Sequence, residues 1–489
     1  MEQKYIVQYL VTFAVALTAM TSSVSISWTT PVIPKFHNNE TDLALTDTEI
    51  SWLVSSTSPG MMLGCLISRF PSDRFGRRAT LLGSAFPFIV GTVFIVTATK
   101  AWMLCAGRFC WGLGSGVVVA VPMIYITEIA STEIRGRLSV VNRFMFTFGG
   151  FLVVAAGSIA SYQTLSYMLF FLPLCYFAAC WWIPETPYYL LKDEKINAAK
   201  KTLMKLNGYK DEKILEDKLT QMRSHVREEM QRSGTIKELL TGKQYRKAII
   251  ISIGLRITQL MSGSIPLQQY LGRILQETNS TISVSTGIIL FGATRFIVSI
   301  LASFIVDRVG RRYILVCSYM AASTTLISLG IFFYFEEIKH RTFSYFGHVT
   351  LFGLILFSTV STLGYDTLNF VIPAEMFPLN VKSTAMTFLN LFICFATFFV
   401  VRGYQVLKDL SGMYGVFWFF GSFALAGAVF SYVLVPETKG KSLREIQIEL
   451  QGDLYDGSSG KLNKNIEILV DNNDLVKCEK NDELTRLKT

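Results

Sequence analysis

Apolar residues in this chain fall in long blocks separated by short polar stretches. No charged residue lies between Arg78 and Lys100, between Lys382 and Arg402, or anywhere from Phe144 to Pro184. A helix rises about 1.5 Å per residue and a bilayer core is about 30 Å thick, so roughly twenty apolar residues cross it once. Each shorter block predicts one helix, and the last is long enough for two that turn near Gly157 to Gln163. Read in order, the blocks predict twelve spans near 6–30, 48–68, 79–99, 103–127, 139–160, 164–183, 248–271, 283–306, 313–334, 348–371, 383–401 and 412–435. The first block is long, lacks a clear small-residue cleavage site and precedes eleven more, so it reads as a retained helix rather than a cleaved signal.

Composition agrees with an all-α membrane protein, because 51% hydrophobic and 17% charged residues leave too little charge to cover a soluble surface. Basic residues resist translocation and so set the orientation. Arg69, Arg74, Arg77 and Arg78 follow span two, Arg135 and Arg137 follow span four, and Arg308, Arg311 and Arg312 follow span eight. The stretch from Pro184 to Lys247 adds fifteen Lys or Arg, which predicts a cytoplasmic central loop and cytoplasmic termini in a multi-pass protein of the cell membrane. The sequons at Asn39 and Asn279 then fall outside, where glycosylation occurs. The net charge of +10 resides mostly in these juxtamembrane loops, where topology and anionic lipid explain it without nucleic acid. Seven of the eight cysteines sit in predicted spans with no metal or disulfide spacing, and Cys478 lies in the tail. His37, His225, His340 and His348 show no metal-ligand spacing and no nucleophile motif accompanies them, which argues against an enzyme and against a cofactor.

The chain repeats itself. Asp73-Arg74-Phe75-Gly76-Arg77-Arg78 follows span two and Asp307-Arg308-Val309-Gly310-Arg311-Arg312 follows span eight; Pro184-Glu185-Thr186 closes span six and Pro436-Glu437-Thr438 closes span twelve. Two paired motifs in register predict an internal duplication. The organisation expected is a six-helix bundle over 1–183, a loop with short helices over 184–247, a second bundle over 248–449, and a disordered polar tail over 450–489. Within the loop, Leu190, Leu191, Ala198, Ala199, Leu203 and Leu206 predict a helix with one apolar side, resting on lipid headgroups or packed on the bundles. Gly112, Gly114 and Gly116 in span four predict close packing against a neighbouring helix.

A solute carrier with alternating access needs contacts made in one state and broken in another. In the repeated loops, Gly76 and Gly310 permit a tight turn, Asp73 and Asp307 can cap the next helix, and Arg74, Arg77, Arg78, Arg308, Arg311 and Arg312 can grip carboxylates. The candidate partners are Glu128, Glu185, Glu375 and Glu437, and the clusters are expected to latch the cytoplasmic side; Lys382 at the start of span eleven joins this set.

These loops, Arg108, Pro122-x-x-Tyr125-x-x-Glu128 running on to Arg135-Gly136, Pro373-Ala374-Glu375-Met376-Phe377-Pro378 and Pro436-Glu437-Thr438-Lys439-Gly440-Lys441-Ser442-Leu443 resemble the sugar porter family of the major facilitator superfamily. The closest likeness is to facilitated trehalose and glucose transporters, and it covers nearly the whole chain except the tail. The resemblance implies the major facilitator fold, with a hexose or disaccharide held midway between two bundles, and gating roles for Arg108, Arg135 and the charged residues above. It also implies uniport, since proton-coupled relatives carry an Asp in span one, where this chain has Ser25-Ile26-Ser27-Trp28-Thr29-Thr30.

The solute-contact positions depart from that family. Its Gln-Gln-Leu-Ser-Gly-Ile-Asn pattern is here Gln259-Leu260-Met261-Ser262-Gly263-Ser264-Ile265, and its Gly-Pro-x-Pro-Trp is Asp366-Thr367-Leu368-Asn369-Phe370. Arg143 and Arg295 stand where the resemblance places a Gln and an Asn that contact sugar. Candidate solute contacts are therefore Gln259, Ser262, Gln268, Gln269, Asn369, Asn390, Arg143 and Arg295, with Trp28 and Thr29 as further candidates or, for the Trp, an interfacial anchor. Arg143, Arg256, Arg295 and Asp366 lie within spans and should face inward, either as an Asp366 ion pair or as part of the pocket. A sugar facilitator working as a monomer is the leading expectation; a porter of the same fold for another polar or anionic solute comes next, and a non-transporting sensor last.

Overall fold

The computed structural model describes residues 5–37, 43–131, 133–207, 215–224, 239, 241–242, 245–278, 282–305, 309–339, 346–439, 441 and 443–451. Asn39, Asn279, Asp307, Arg308, His225, His340 and the expected tail from 452 onward lie outside them. Among the described residues every element is helical. Eleven segments are long and apolar enough to cross a membrane: Ile6–Phe36, Asp47–Arg74, Arg77–Val96, Ala101–Ile129, Arg135–Ile159, Tyr162–Trp181, Arg246–Gln269, Val284–Ala302, Arg311–Glu337, Gly347–Met376 and Thr384–Leu434. The last has 51 residues, about 75 Å if straight and far beyond one bilayer. It turns at Gly412, whose φ of 70° and ψ of −179° are non-helical. The direction reverses there, since Arg402 before the turn bonds the Thr48 carbonyl at one end of the molecule, while Tyr432 after it meets Arg312 at the other. The segment is thus spans eleven and twelve, and the total is twelve.

The Gly412 turn is held by Glu337 at the end of span nine. One of its oxygens accepts the Met413 N–H at 3.2 Å, so a side chain from another helix caps the start of span twelve. A Cβ at Gly412 would come within 2.4 Å of the other oxygen, so the position needs glycine for space as well as for its φ. Elsewhere local signals do the same work. Thr46 and Glu49 form a reciprocal capping box at the start of span two, and Ser161 caps span six by accepting the Thr164 N–H at 3.2 Å.

Spans one to six pack mainly on one another, as do spans seven to twelve; the two groups meet along spans five and eight and along spans two and eleven. In the first group, spans two and four approach closely on small residues. A Cβ on Gly60, Gly64, Gly112 or Gly116 would meet carbonyl oxygens of the facing helix at 2.1–2.2 Å, and one on Gly114 would enter the Phe88 ring. This is the expected close packing, which in lipid replaces the hydrophobic drive between helices. The loop helices Pro187–Lys192 and Ile196–Asn207 rest on protein: Leu190, Leu191 and Ala199 form a small core, and Leu206 joins the main one, where its carbonyl accepts from Gln8 Nε2.

Replacing Gly116 with Leu should destabilise the detergent-solubilised protein by about 1–3 kcal/mol or abolish its accumulation, because backbone stands where the side chain would go. Gly136→Ala, at a position with nothing within 4 Å, serves as the control. Equal melting temperatures for Gly116→Leu and wild type would remove the close-packing account.

Candidate solute path and gates

At the basic face, each half carries the same carboxylate-on-helix device. Glu185 Oε1 accepts the backbone N–H of Arg77 at 3.0 Å, and both its oxygens accept that of Arg78. Glu437 takes the N–H groups of Arg311 at 2.9 Å and Arg312 at 3.1 Å. The carboxylates therefore sit on the exposed amides that begin spans three and nine, where the helix dipole favours negative charge. The cap expected of Asp73 is thus supplied by Glu185. Asp73 instead pairs with Lys192 at 3.0 Å and with Arg77 at 3.7 Å. Gly76 has φ 98°, as a tight turn requires, but Gly310 has φ −61°. Gly310 is needed for space, since a Cβ there would come within 2.7 Å of Glu437.

The guanidinium groups reach different carboxylates. Arg77 is 6% exposed, contacts Glu128 at 3.1 Å through Nε and Nη2, donates to the Ser72 carbonyl and lies over the Tyr189 ring. Arg311 reaches Glu375 at 3.7 Å. Arg78 and Arg312 donate to the carbonyls of Trp181 and Tyr432, while Arg74 lies over Phe70 and Phe75. Arg108 is fully buried, donates to the Ser25 carbonyl and lies over Trp28. Arg135 is exposed, with no side-chain hydrogen bond or ion pair among the described residues. Each of these contacts lies within a half, so among the described residues they brace the halves in which they stand. Burial pushes the Glu185 carboxyl above its ordinary value. For Glu437, burial also pushes upward, but the N–H groups of Lys439, Arg311, Arg312 and Thr438 outweigh it and hold the carboxyl below.

The midpoint of the seam is built on broken helices. Span seven ends a turn at Met261, passes Gly263 at φ 80° and resumes over Ser264–Gln269; span ten breaks at Gly364 and resumes at Tyr365. These breaks bring Gln259 Nε2 to Asp366 Oδ1 at 2.9 Å and Ser264 Oγ to the same oxygen at 3.1 Å. Arg143 crosses from the first half to donate to Thr367 Oγ1 at 2.7 Å. Asp366 forms no ion pair among the described residues; of the two arrangements open to it, the Asp366–Arg pair is not made, and an amide and a hydroxyl hold the carboxylate. Buried Gln259 Oε1, Gln269 Oε1, Asn142 Oδ1 and Thr29 Oγ1 have no partner. Such orphans facing a solute path are acceptors for a ligand's hydroxyl donors.

Other sequence candidates have different placements. Asn369 is fully buried and donates to the Leu255 carbonyl at 3.0 Å, tying span ten to span seven. Ser262 Oγ donates to the Gln259 carbonyl. Trp28 is neither a pocket wall nor an interfacial anchor: it is fully buried within the first half, edge-on to Trp111 at 5.6 Å and tilted on Tyr162. Gln268 meets the other half through its carbonyl, which accepts from Thr30 Oγ1. Asn390 and Lys382 are half-buried and make no side-chain bond among the described residues.

Sequence reasoning missed the seam at the end opposite the basic face. There Arg273 reaches Asp47 at 2.7 Å, Arg402 donates to the Thr48 carbonyl and lies 4.5 Å over Trp52, and Gln276 donates to the Pro34 carbonyl. Each contact joins the two halves. Arg273 also bonds Glu277, which Lys408 grips as well.

With that geometry in place, comparison with known proteins settles the family. The profile described as Sugar (and other) transporter matches residues 8–450. The chain belongs to that family. Among sugar-transporter relatives, "Facilitated trehalose transporter Tret1" of Apis mellifera ligustica is 29% identical over 451 residues, covering 92% of this chain and 89% of that protein. The Bombyx mori protein of the same name is 28% identical over 443 residues, covering 91% and 86%. The inward-open xylose transporter XylE from E. coli superposes with a TM-score of 0.71 at 20% identity, over 90% of this chain and 98% of that one. The fold is the major facilitator fold, and the chain is a multi-pass membrane protein.

If the Asp47 end is the closed gate, Asp47→Asn should raise modification of a cysteine placed at Thr30 several-fold in a background stripped of reactive native cysteines. The Arg273–Asp47 pair is half-exposed and worth about 1 kcal/mol at most, which is enough to change a two-state ratio about fivefold. Unchanged labelling with intact folding would exclude this contact as part of the gate.

Proposed function

We propose that this protein carries a sugar, trehalose or a hexose, across the cell membrane by facilitated diffusion with alternating access. The observation that carries the reading is the midpoint cluster, where the Gln259 amide and the Ser264 hydroxyl meet Asp366, the Gln259 oxygen is left unpaired, and neighbouring Thr367 joins Arg143 of the other helical group. Sugar hydroxyls donate and accept at once, and so match a ring of amides and a carboxylate. The relatives' names point to the same solute class.

The basic loops support a cytoplasmic Arg77 face, with both termini on that side and the sequons at Asn39 and Asn279 on the other. On that reading the polar contacts around Asp47, Arg273 and Arg402 close the extracellular gate, and the conformation faces inward. The Glu185 and Glu437 devices then keep each six-helix bundle rigid as the bundles rock, and Arg77 and Arg311 act by bracing. The protein works as a monomer, with a seam complete within one chain.

Span one carries no acid, which supports uniport. Proteoliposomes holding the purified protein should equilibrate radiolabelled trehalose or glucose down its gradient without accumulation when a pH gradient is imposed. Arg77→Ala should slow that exchange by about tenfold or more through loss of a buried brace. Accumulation abolished by an uncoupler would overturn uniport and make Asp366 the coupling carboxylate.

A further inference from the structure

Spans five, seven and eight carry Arg143, Arg256 and Arg295, and Asp366 stands just after the break of span ten. Arg143 is held by a neutral hydroxyl, that of Thr367. Arg295 makes no hydrogen bond among the described residues and interacts with Asp366 through charge. Arg256 is 0% exposed, and its Nε, Nη1 and Nη2 all lack a partner. The Phe370 ring lies 4.0 Å from the Arg256 guanidinium, and Phe370 is itself 50% exposed. Asp366 answers none of the three with an ion pair, since the oxygen it uses, Oδ1, takes Gln259 and Ser264.

The pairs Arg256–Phe370 and Gln259–Asp366 run antiparallel along spans seven and ten, one turn apart. Asp366, Thr367 and Phe370 share one stripe of span ten, and Thr367 meets the other half, so this stripe faces the seam. A guanidinium buried without a partner is costly, and a carrier keeps such a charge where a ligand completes it. The exposed Phe370 ring lies over the Arg256 guanidinium and is the group that a ligand reaching that charge would have to displace.

We propose that the solute is an anionic sugar, bearing a carboxylate or a phosphate, with its charge on Arg256 and Arg295 and its hydroxyls on the Gln259 and Asp366 cluster. A guanidinium fork fits either anion with two parallel hydrogen bonds. This inference rests on the sugar-transport reading above and puts a charged sugar in place of the neutral one named there.

The test uses the full chain in proteoliposomes and compares D-glucuronate, glucose 6-phosphate and D-glucose, which differ only at C6, with trehalose alongside. One of the two anions should enter at least tenfold faster than glucose, and which one does identifies the anionic group. Arg256→Gln should collapse that ratio to near one, and Arg256→Lys should retain part of it. Preference for glucose or trehalose, or an anion preference that Arg256→Gln leaves intact, overturns the inference while the transport reading stands. If no solute enters, thermal stabilisation decides: a shift with either anion that Arg256→Gln removes keeps the anion site and discards transport, and no shift discards both. Should Arg256→Gln fail to fold, Arg295→Gln is read by the same ratio.

Discussion

Inside a bilayer a backbone amide or carbonyl has no water to turn to, so a helix can break only where protein or a wet seam receives the freed groups. Spans seven and ten both break, at Gly263 and Gly364, and the segments that follow the breaks meet the other half through the Gln268 carbonyl and the Thr367 hydroxyl. Much of the midpoint chemistry follows from that constraint. The interruption after Met261 carries Ser264 round to the same Asp366 oxygen that Gln259 holds, which an unbroken helix would not do. Irregular backbone, polar side chains and unpaired donors thus collect in one layer because that is the layer where they are tolerated.

The same economy appears at the basic face. Helix starts expose amides that need acceptors, and this fold supplies them from the far end of each bundle: Glu185 follows span six and caps span three, while Glu437 follows span twelve and caps span nine. The duplication therefore preserves a bond between distant stretches of chain, and preserves it by the same atoms. The copies differ in detail. Glu185 lies deeper and its carboxyl is pushed up, whereas Glu437 is more open and held down by its N–H donors. Gly76 is required by its φ and Gly310 by the closeness of Glu437.

Much of this was legible in the residues. Span number and the pairing of loop motifs followed from block length and repetition, since a bilayer fixes how many apolar residues a crossing needs. The carboxylate partners were identifiable by type, but not the atoms they would bond, because a Glu reads the same whether it meets a guanidinium or a backbone amide. Trp28 was misplaced for a related reason: an aromatic near a span end is ambiguous until its neighbours, here Trp111 and Tyr162, are known. The contacts around Asp47, Arg273 and Arg402 left no signature, as their members come from three separate spans and carry no shared motif.

The turn at Gly412 has a consequence for how the protein is made. Spans eleven and twelve are joined by a single non-helical residue, and the polar stretch before it that carries Arg402, Gln405, Lys408 and Asp409 is itself helical. The first amide of span twelve is capped by Glu337 of span nine, so that cap forms only once the earlier-synthesised span nine stands beside the turn, and the start of the last helix depends on a carboxylate that precedes it in the chain.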